Sequence, residues 1–260
     1  MSTPHKKTID LGTHQLKFES GKIARQADGA VLLSVNDTLI LGTACTTPDP
    51  LEDVDFVPLR VDYIEKFSSA GKTVGGFFKR EGRPTQREVL TCRLIDRPIR
   101  PLILEGYTHD TQIITQVLSY DETYSTEPFA ICAASAALAL SSVPLVHPVG
   151  AVRVGYIDGQ FVVNPTLVEQ KKSTLDLMLA GTEEAILMIE GFCELLTEAQ
   201  VLEAIAVGHK AIQLICRGIS EWQREIGKPK NLETLKRIPE ELLSCLRSEF
   251  NDELKSALKI

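Results

Sequence analysis

The stretch Gly75 to Pro101, GGFFKREGRPTQREVLTCRLIDRPIRP, sets two adjacent phenylalanines, Phe77 and Phe78, beside a run of cationic side chains. Seven cations (Lys79, Arg80, Arg83, Arg87, Arg93, Arg97 and Arg100) stand against three carboxylates (Glu81, Glu88 and Asp96), a net of +4 in a chain whose formal charge is −7. Such an excess against an acidic background is not a by-product of overall basicity, and it points to an anionic ligand at this place. Aromatic rings stack nucleobases of any identity at ~1–3 kcal/mol per base, and adjacent Lys and Arg hold phosphates. The chemistry predicted is therefore a grip on single-stranded nucleic acid.

Glycines at 71, 75, 76 and 82 free the preceding loop of side-chain bulk and present Phe77 and Phe78 at a tip, with Lys79, Arg80 and Arg83 beside them. The phenylalanines could instead fold back as a plug on the protein. Thr85 and Glu88 match a capping box, so a helix should start there, and Pro98 is expected to stop it. Along it Arg93, Arg97 and Arg100 fall at i, i+4 and i+7, one face from which guanidinium groups could clamp phosphate oxygens. The alternative is a surface network with Asp96 and Glu88. Arg83 and Arg87 sit near the helix start, where cations oppose the dipole, a conflict that an anion nearby would relieve.

Other motifs carry less. Lys66 to Thr73 ends like a phosphate-binding loop, but Lys66 stands where the first glycine must be, which argues against an NTPase. Asp49, Glu52, Asp53 and Asp55 form an acidic loop that reads as solvated rather than metal-binding. The five histidines have no nucleophile or carboxylate in a telling arrangement, and the six cysteines are scattered without a CxxC pair, so they read as reduced small hydrophobes. No catalytic residue and no metal ligand is assigned. No charge-free apolar window long enough to span a bilayer and no secretory signal is visible, so a cytoplasmic protein without a membrane anchor is expected.

The elements that must position the basic run read as α+β. Strands are predicted at His14–Ser20, Lys22–Ala27, Ala30–Val35, Thr38–Thr46 and Phe56–Glu65, with turns at Ser20-Gly21, Asp28-Gly29 and Asn36-Asp37. Asp110–Ser119 returns as a strand, and Glu127–Val143, rich in Ala and Leu, reads as a helix buried on most of its circumference. Strands follow at Ala151–Ile157, Gln160–Val163, Leu175–Ala180 and Ala185–Gly191. A second capping box, Thr197 with Gln200, opens a long helix that ends at Gly227. From Pro239 onward Leu242, Leu243, Leu246, Phe250, Leu254 and Leu258 share one helical face that needs a partner, which suggests a piece of a longer polypeptide.

Ala70-Gly71-Lys72, Gly75 to Pro84 and Arg93 to Pro101 together resemble bacterial polynucleotide phosphorylases, and the resemblance runs in order of elements along the chain. It implies an RNase PH-like split β-α-β core domain over residues 1–228, the first of two in such enzymes, followed over 229–260 by the start of an all-helical linker domain. The implied activity is a phosphate-dependent, processive 3′-to-5′ exoribonuclease that releases nucleoside diphosphates in mRNA degradation. Implied partners are single-stranded RNA, two further copies in a homotrimeric ring, and proteins of the RNA-degradation machinery. Phe77, Phe78, Lys79 and Arg80 would line the channel entrance, with Lys79 standing where family members commonly have arginine. Arg93, Arg97 and Arg100 match arginines associated with RNA and activity. Inorganic phosphate would be the co-substrate and Mg²⁺ the cofactor, but the phosphate-binding serines and metal-associated acidic residues of the family belong to the second core. The same basic aromatic surface also fits a different class, a non-catalytic RNA-binding ring subunit of an exosome-like assembly.

Overall fold

The computed structural model describes residues 4–77, 79–236 and 239–259. Strands β1 (His5–Asp10), β2 (Gln15–Ser20), β3 (Gly29–Val35), β4 (Thr38–Thr46), β5 (Leu59–Glu65) and β6 (Thr111–Ser119) build a mixed six-stranded sheet in the order β1-β2-β3-β4-β6-β5. Its neighbours are antiparallel except β5 and β6, which run parallel and need the crossover that carries helix α1 (Gln86–Ile99). A second, antiparallel sheet has the order β10-β9-β7-β8, from β7 (Gly150–Ile157), β8 (Gln160–Val163), β9 (Leu175–Gly181) and β10 (Ile186–Cys193). A one-turn helix α3 (Leu167–Gln170) joins β8 to β9.

Helix α2 (Glu127–Leu140) touches β3, β4 and β6 of the first sheet and β7 and β9 of the second, and all of its residues are buried. That position explains its composition, since a helix walled on every side has no polar face to show. Its small side chains let it lie close. A Cβ at Gly42 would come within 2.6 Å of the Ala133 carbonyl oxygen, and one at Gly29 within 2.0 Å of that of Ala137. Polar groups inside are answered locally, with the Ser135 hydroxyl accepting from the Val149 amide at 2.7 Å.

Helix α4 (Glu198–Ile226) starts at the Thr197–Gln200 capping box and packs on β7, β8 and β9 before reaching β1. Trp222, fully buried, lies 6.0 Å from the ring of Phe18. Beyond it, residues 228–236 strap back over the core. The Lys230 ammonium donates to the carbonyls of Leu138, Ala139 and Ser141 at 3.0, 2.9 and 2.7 Å, closing the C-terminus of α2. Thr234 meets the buried His109 at 2.7 Å, and the Lys236 amide donates to Gly106. Helix α5 (Glu240–Leu258) buries none of its residues, and Leu242, Leu246, Phe250, Leu254 and Leu258 are all exposed.

Three sequence expectations are corrected. Lys22–Ala27 is not a strand, because β2 pairs directly with β3 (Lys17 opposite Ser34) and the intervening residues form a wide loop. Asp28-Gly29 is not a hairpin turn: Gly29 opens β3, while the Asp28 carboxylate receives Ser142 and Lys228. Although burial raises its pKa, the Lys228 and Ser142 hydrogen bonds prevail and hold Asp28 below the usual range. Pro98 does not stop α1, which runs to Ile99 and continues as a 3₁₀ turn over Arg100–Leu102. One element was missed. β1 is polar because it is an edge strand, with Ile9 alone buried.

Candidate nucleic-acid interface

Helix α1 is fixed at its start by the capping box, in which Thr85 accepts from the Glu88 amide while the Glu88 carboxylate accepts from Thr85 N at 2.7 Å. The other Glu88 oxygen receives the Glu65 amide at 3.0 Å, pinning the helix to the end of β5. Burial raises the Glu88 pKa, but these amide and hydroxyl donors outweigh it and keep the carboxylate ionised. Before the helix the chain forms a 3₁₀ turn, Phe67–Ala70, ended by Gly71 in the left-handed region. The Phe67 amide donates to Glu81 at 3.2 Å, tying the glycine-rich loop back to that turn.

On this loop Phe77 is 94% exposed, and Phe78 lies outside the described residues. Lys79, Arg80 and Arg83 are exposed and have no ion pair among the described residues. Arg93 on α1 is likewise exposed without one. Arg97 reaches Glu190 of β10 at 3.6 Å, but both side chains are more than half exposed, so the pair holds weakly.

Two arginines of the run are committed inward. Arg100 gives Asp96 a two-pronged contact at 2.9 and 2.9 Å and donates to the carbonyls of Val57 at 2.8 Å and Leu59 at 2.9 Å. Its guanidinium therefore ties α1 to the segment entering β5. Arg87 donates to Glu127 at 3.0 Å and approaches Glu65 at 3.8 Å. Burial alone would lower its pKa, but these two carboxylates raise it. The anion that relieves the conflict at the helix start is the protein's own, so the hint of a ligand at Arg87 is withdrawn.

Behind α1 lies a cluster that sequence reading missed. Glu127 occupies the first turn of α2, where the dipole favours a carboxylate, and is shared between Arg87 and Arg153, the latter at 3.8 Å. Arg153 also holds Asp176 with both oxygens at 2.9–3.0 Å. Buried beside them, Glu127 Oε2 and Arg153 Nε have no hydrogen-bond partner among the described residues. Tyr63 donates to Glu65 and meets Thr126 at 2.7 Å; burial first, then Glu65, pushes its pKa up, so it stays a neutral hydroxyl. The available signal was Arg153 itself, a cation inside the apolar strand AVRVGY. Its face also lines a cavity of about 230 Å³ with Leu94, Met178, Glu190 and Phe192.

The cluster is self-neutralised and holds no nucleophile paired with a base. The outward face instead offers cations and an aromatic tip. What the arrangement can do is hold a polyanion. As for a metal, no group of three or more His, Cys, Asp or Glu side chains among the described residues could hold one.

Two packed sheets with helices between them, and a cationic loop at one end, define an α+β core of the RNase PH type. The family described as "3' exoribonuclease family, domain 1" matches residues 13–144, and its "domain 2" matches 147–211; the chain belongs to the 3′ exoribonuclease family. It is 57% identical over 253 residues, 97% of the chain, to a polyribonucleotide nucleotidyltransferase of Protochlamydia amoebophila (strain UWE25), covering 36% of that protein. With the protein of the same name from Chlamydia pneumoniae it shares 52% over 245 residues, 94% of the chain and 35% of the relative. The chain thus spans about a third of the length of the curated relatives it matches. Among solved structures it resembles rice (Oryza sativa) Rrp46 with a TM-score of 0.63 and 19% identity, over 80% of this chain and 92% of that one. An Archaeoglobus fulgidus exosome, solved with RNA bound to its active site, aligns at TM-score 0.59 and 16% identity over 74% and 83%. Likenesses at such identity concern the fold.

Proposed function

We propose that this chain is the first core of a polyribonucleotide nucleotidyltransferase, a phosphate-dependent 3′-to-5′ exoribonuclease that releases nucleoside diphosphates. The observation that carries the reading is the 57% identity to an enzyme of that name along 97% of the chain. The chain's own part is to grip single-stranded RNA. Phe77 and Phe78 stack bases, Lys79, Arg80 and Arg83 hold phosphates, and Arg93 and Arg97 extend the cationic track along α1. Arg100 serves this track indirectly, by fixing the helix that carries it.

The reading includes a homotrimeric ring with RNA in its channel, a cytoplasmic location, and contacts with other RNA-degrading proteins. Among the described residues no helix is long and apolar enough to cross a membrane. Residues 1–228 act as the core, with 229–260 leading into a helical domain, although the strap 228–236 is bonded to the core. Inorganic phosphate is the co-substrate. Mg²⁺ finds no fitting ligand set among the described residues.

The test is release of nucleoside diphosphates from single-stranded RNA on addition of inorganic phosphate, measured with the full product of the gene. RNA binding without phosphate-dependent release would replace this reading by a non-catalytic ring subunit of an exosome-like assembly. That second reading rests on the same exposed cations and aromatic tip, which can hold RNA without a reacting group beside them.

A further inference from the structure

We propose that the cavity between the 3₁₀ turn Phe67–Ala70 and the start of α1 is a pocket for a single purine base, whose phosphate lies on the neighbouring cationic loop. This rests on the RNA-gripping reading and names a specific subsite within it. The cavity measures about 270 Å³, near the lower end of the ~300–1,000 Å³ of ligand clefts, so it admits one base rather than a strand.

Its apolar wall is Phe67, Ala70, Val117 and the ring of Tyr120. The Tyr120 amide donates to Ser69 at 2.9 Å, which holds the strand end and the turn together and leaves the wall formed in advance. Glu65 and Tyr120, both lining the cavity, each carry a polar atom without a hydrogen-bond partner among the described residues. Glu65 takes Tyr63 and Thr126 on Oε1, which leaves Oε2 without a hydrogen-bond partner among the described residues, on a side chain 28% exposed. The Tyr120 hydroxyl also has no partner among the described residues. A carboxylate acceptor near a hydroxyl, within an apolar slot, complements a purine edge, where an amino donor adjoins a ring nitrogen or carbonyl acceptor.

Charge and tethering supply the rest of the nucleotide. Lys66 and Lys72 stand at the cavity, and Glu81 clasps the Phe67 amide, so the loop bearing Lys79, Arg80 and Arg83 is anchored to the pocket wall. A base in the cavity therefore has its phosphates beside Lys66 and the loop's Lys79, Arg80 and Arg83, which have no ion pair among the described residues, while Lys72 is shared with Glu122 at 3.5 Å. Both a residue of an RNA strand and a free purine nucleotide present this chemistry.

The experiment uses a short oligouridylate carrying one 2-aminopurine, and separately 2-aminopurine ribonucleoside monophosphate, each titrated into the chain. Strand binding is read by anisotropy and base capture by quenching of the 2-aminopurine fluorescence. Quenching in the strand, lost in Phe67→Ala with about a tenfold weaker affinity and kept in Tyr120→Phe with an affinity about threefold weaker, is the expected result. Phe67 is half exposed, so its replacement leaves the fold intact, which circular dichroism checks. Quenching of the free nucleotide as well would show that the pocket takes nucleotides without a strand. Strand binding with no quenching, or quenching indifferent to Phe67→Ala, overturns the pocket and leaves the gripping reading standing. No strand binding at any salt overturns both.

Discussion

Arg93 on α1 and Arg100 at its C-terminal cap lie seven residues apart in the same charge run, yet one stands exposed without an ion pair among the described residues and the other gives four hydrogen bonds inward. The difference lies in what passes beneath each. The segment Val57–Leu59 crosses the C-terminal end of α1 and turns two carbonyls toward Arg100, that of Val57 being shared with the Leu59 amide, while among the described residues no such acceptor bonds Arg93. A basic run thus mixes side chains that face a ligand with side chains that hold the scaffold, and partners from distant sequence decide which is which.

That contrast can be broken by substitution. The largest loss of stability is expected for Arg87→Ala, which leaves the Glu127 carboxylate, 11% exposed, with Arg153 alone at 3.8 Å. Because Arg87 is itself 54% exposed, the cost should be about 2–3 kcal/mol, below that of a fully buried pair, read as a lower urea midpoint. Arg100→Ala should cost about 2 kcal/mol, and Arg100→Lys should recover less than half of it, since an ammonium cannot span two carbonyls and a carboxylate as a planar fork does.

Lys230 tests the inward class by pH. Burial lowers its pKa to about 8, so between there and its unfolded value the unfolded chain binds the proton and the folded chain does not. Stability attributable to Lys230 should therefore rise with pH across that window, by about 1 kcal/mol after allowance for its solvated part. The same denaturation series on Lys230→Met should lack this rise. The smallest effect on stability belongs to Arg93→Ala, within about 0.5 kcal/mol. It should still weaken RNA binding several-fold and lower the salt slope by about 1; an unchanged slope would move Arg93 into the scaffold class.

Much of the fold was legible because local signals agreed with burial. The capping boxes at Thr85 and Thr197, the two-residue turn at Asp158-Gly159 and the alternation in β4 each express a local rule. The irregular loop at 22–28 was not, because Ser20-Gly21 and Asp28-Gly29 frame KIARQA as turns frame a strand and only the direct pairing of β2 with β3 excludes it. The aromatic and cationic loop was visible as composition. The Glu127, Arg153 and Tyr63 cluster was not, since its members come from β5, α2 and β7 and meet only through packing.

The close approach of α2 to the first sheet constrains how this sequence can drift. At Gly29 and Gly42 the obstacle to a methyl group is a carbonyl oxygen of the helix rather than a side chain. Trimming Ala133 would remove only its Cβ at 3.1 Å, and trimming Ser141 its Cβ at 3.0 Å, while the carbonyl oxygens at 2.6 and 2.0 Å stay, so no second-site change of side chain can suppress a substitution there. The two glycines are fixed by main-chain geometry alone, and a selection for revertants at either position should return glycine itself.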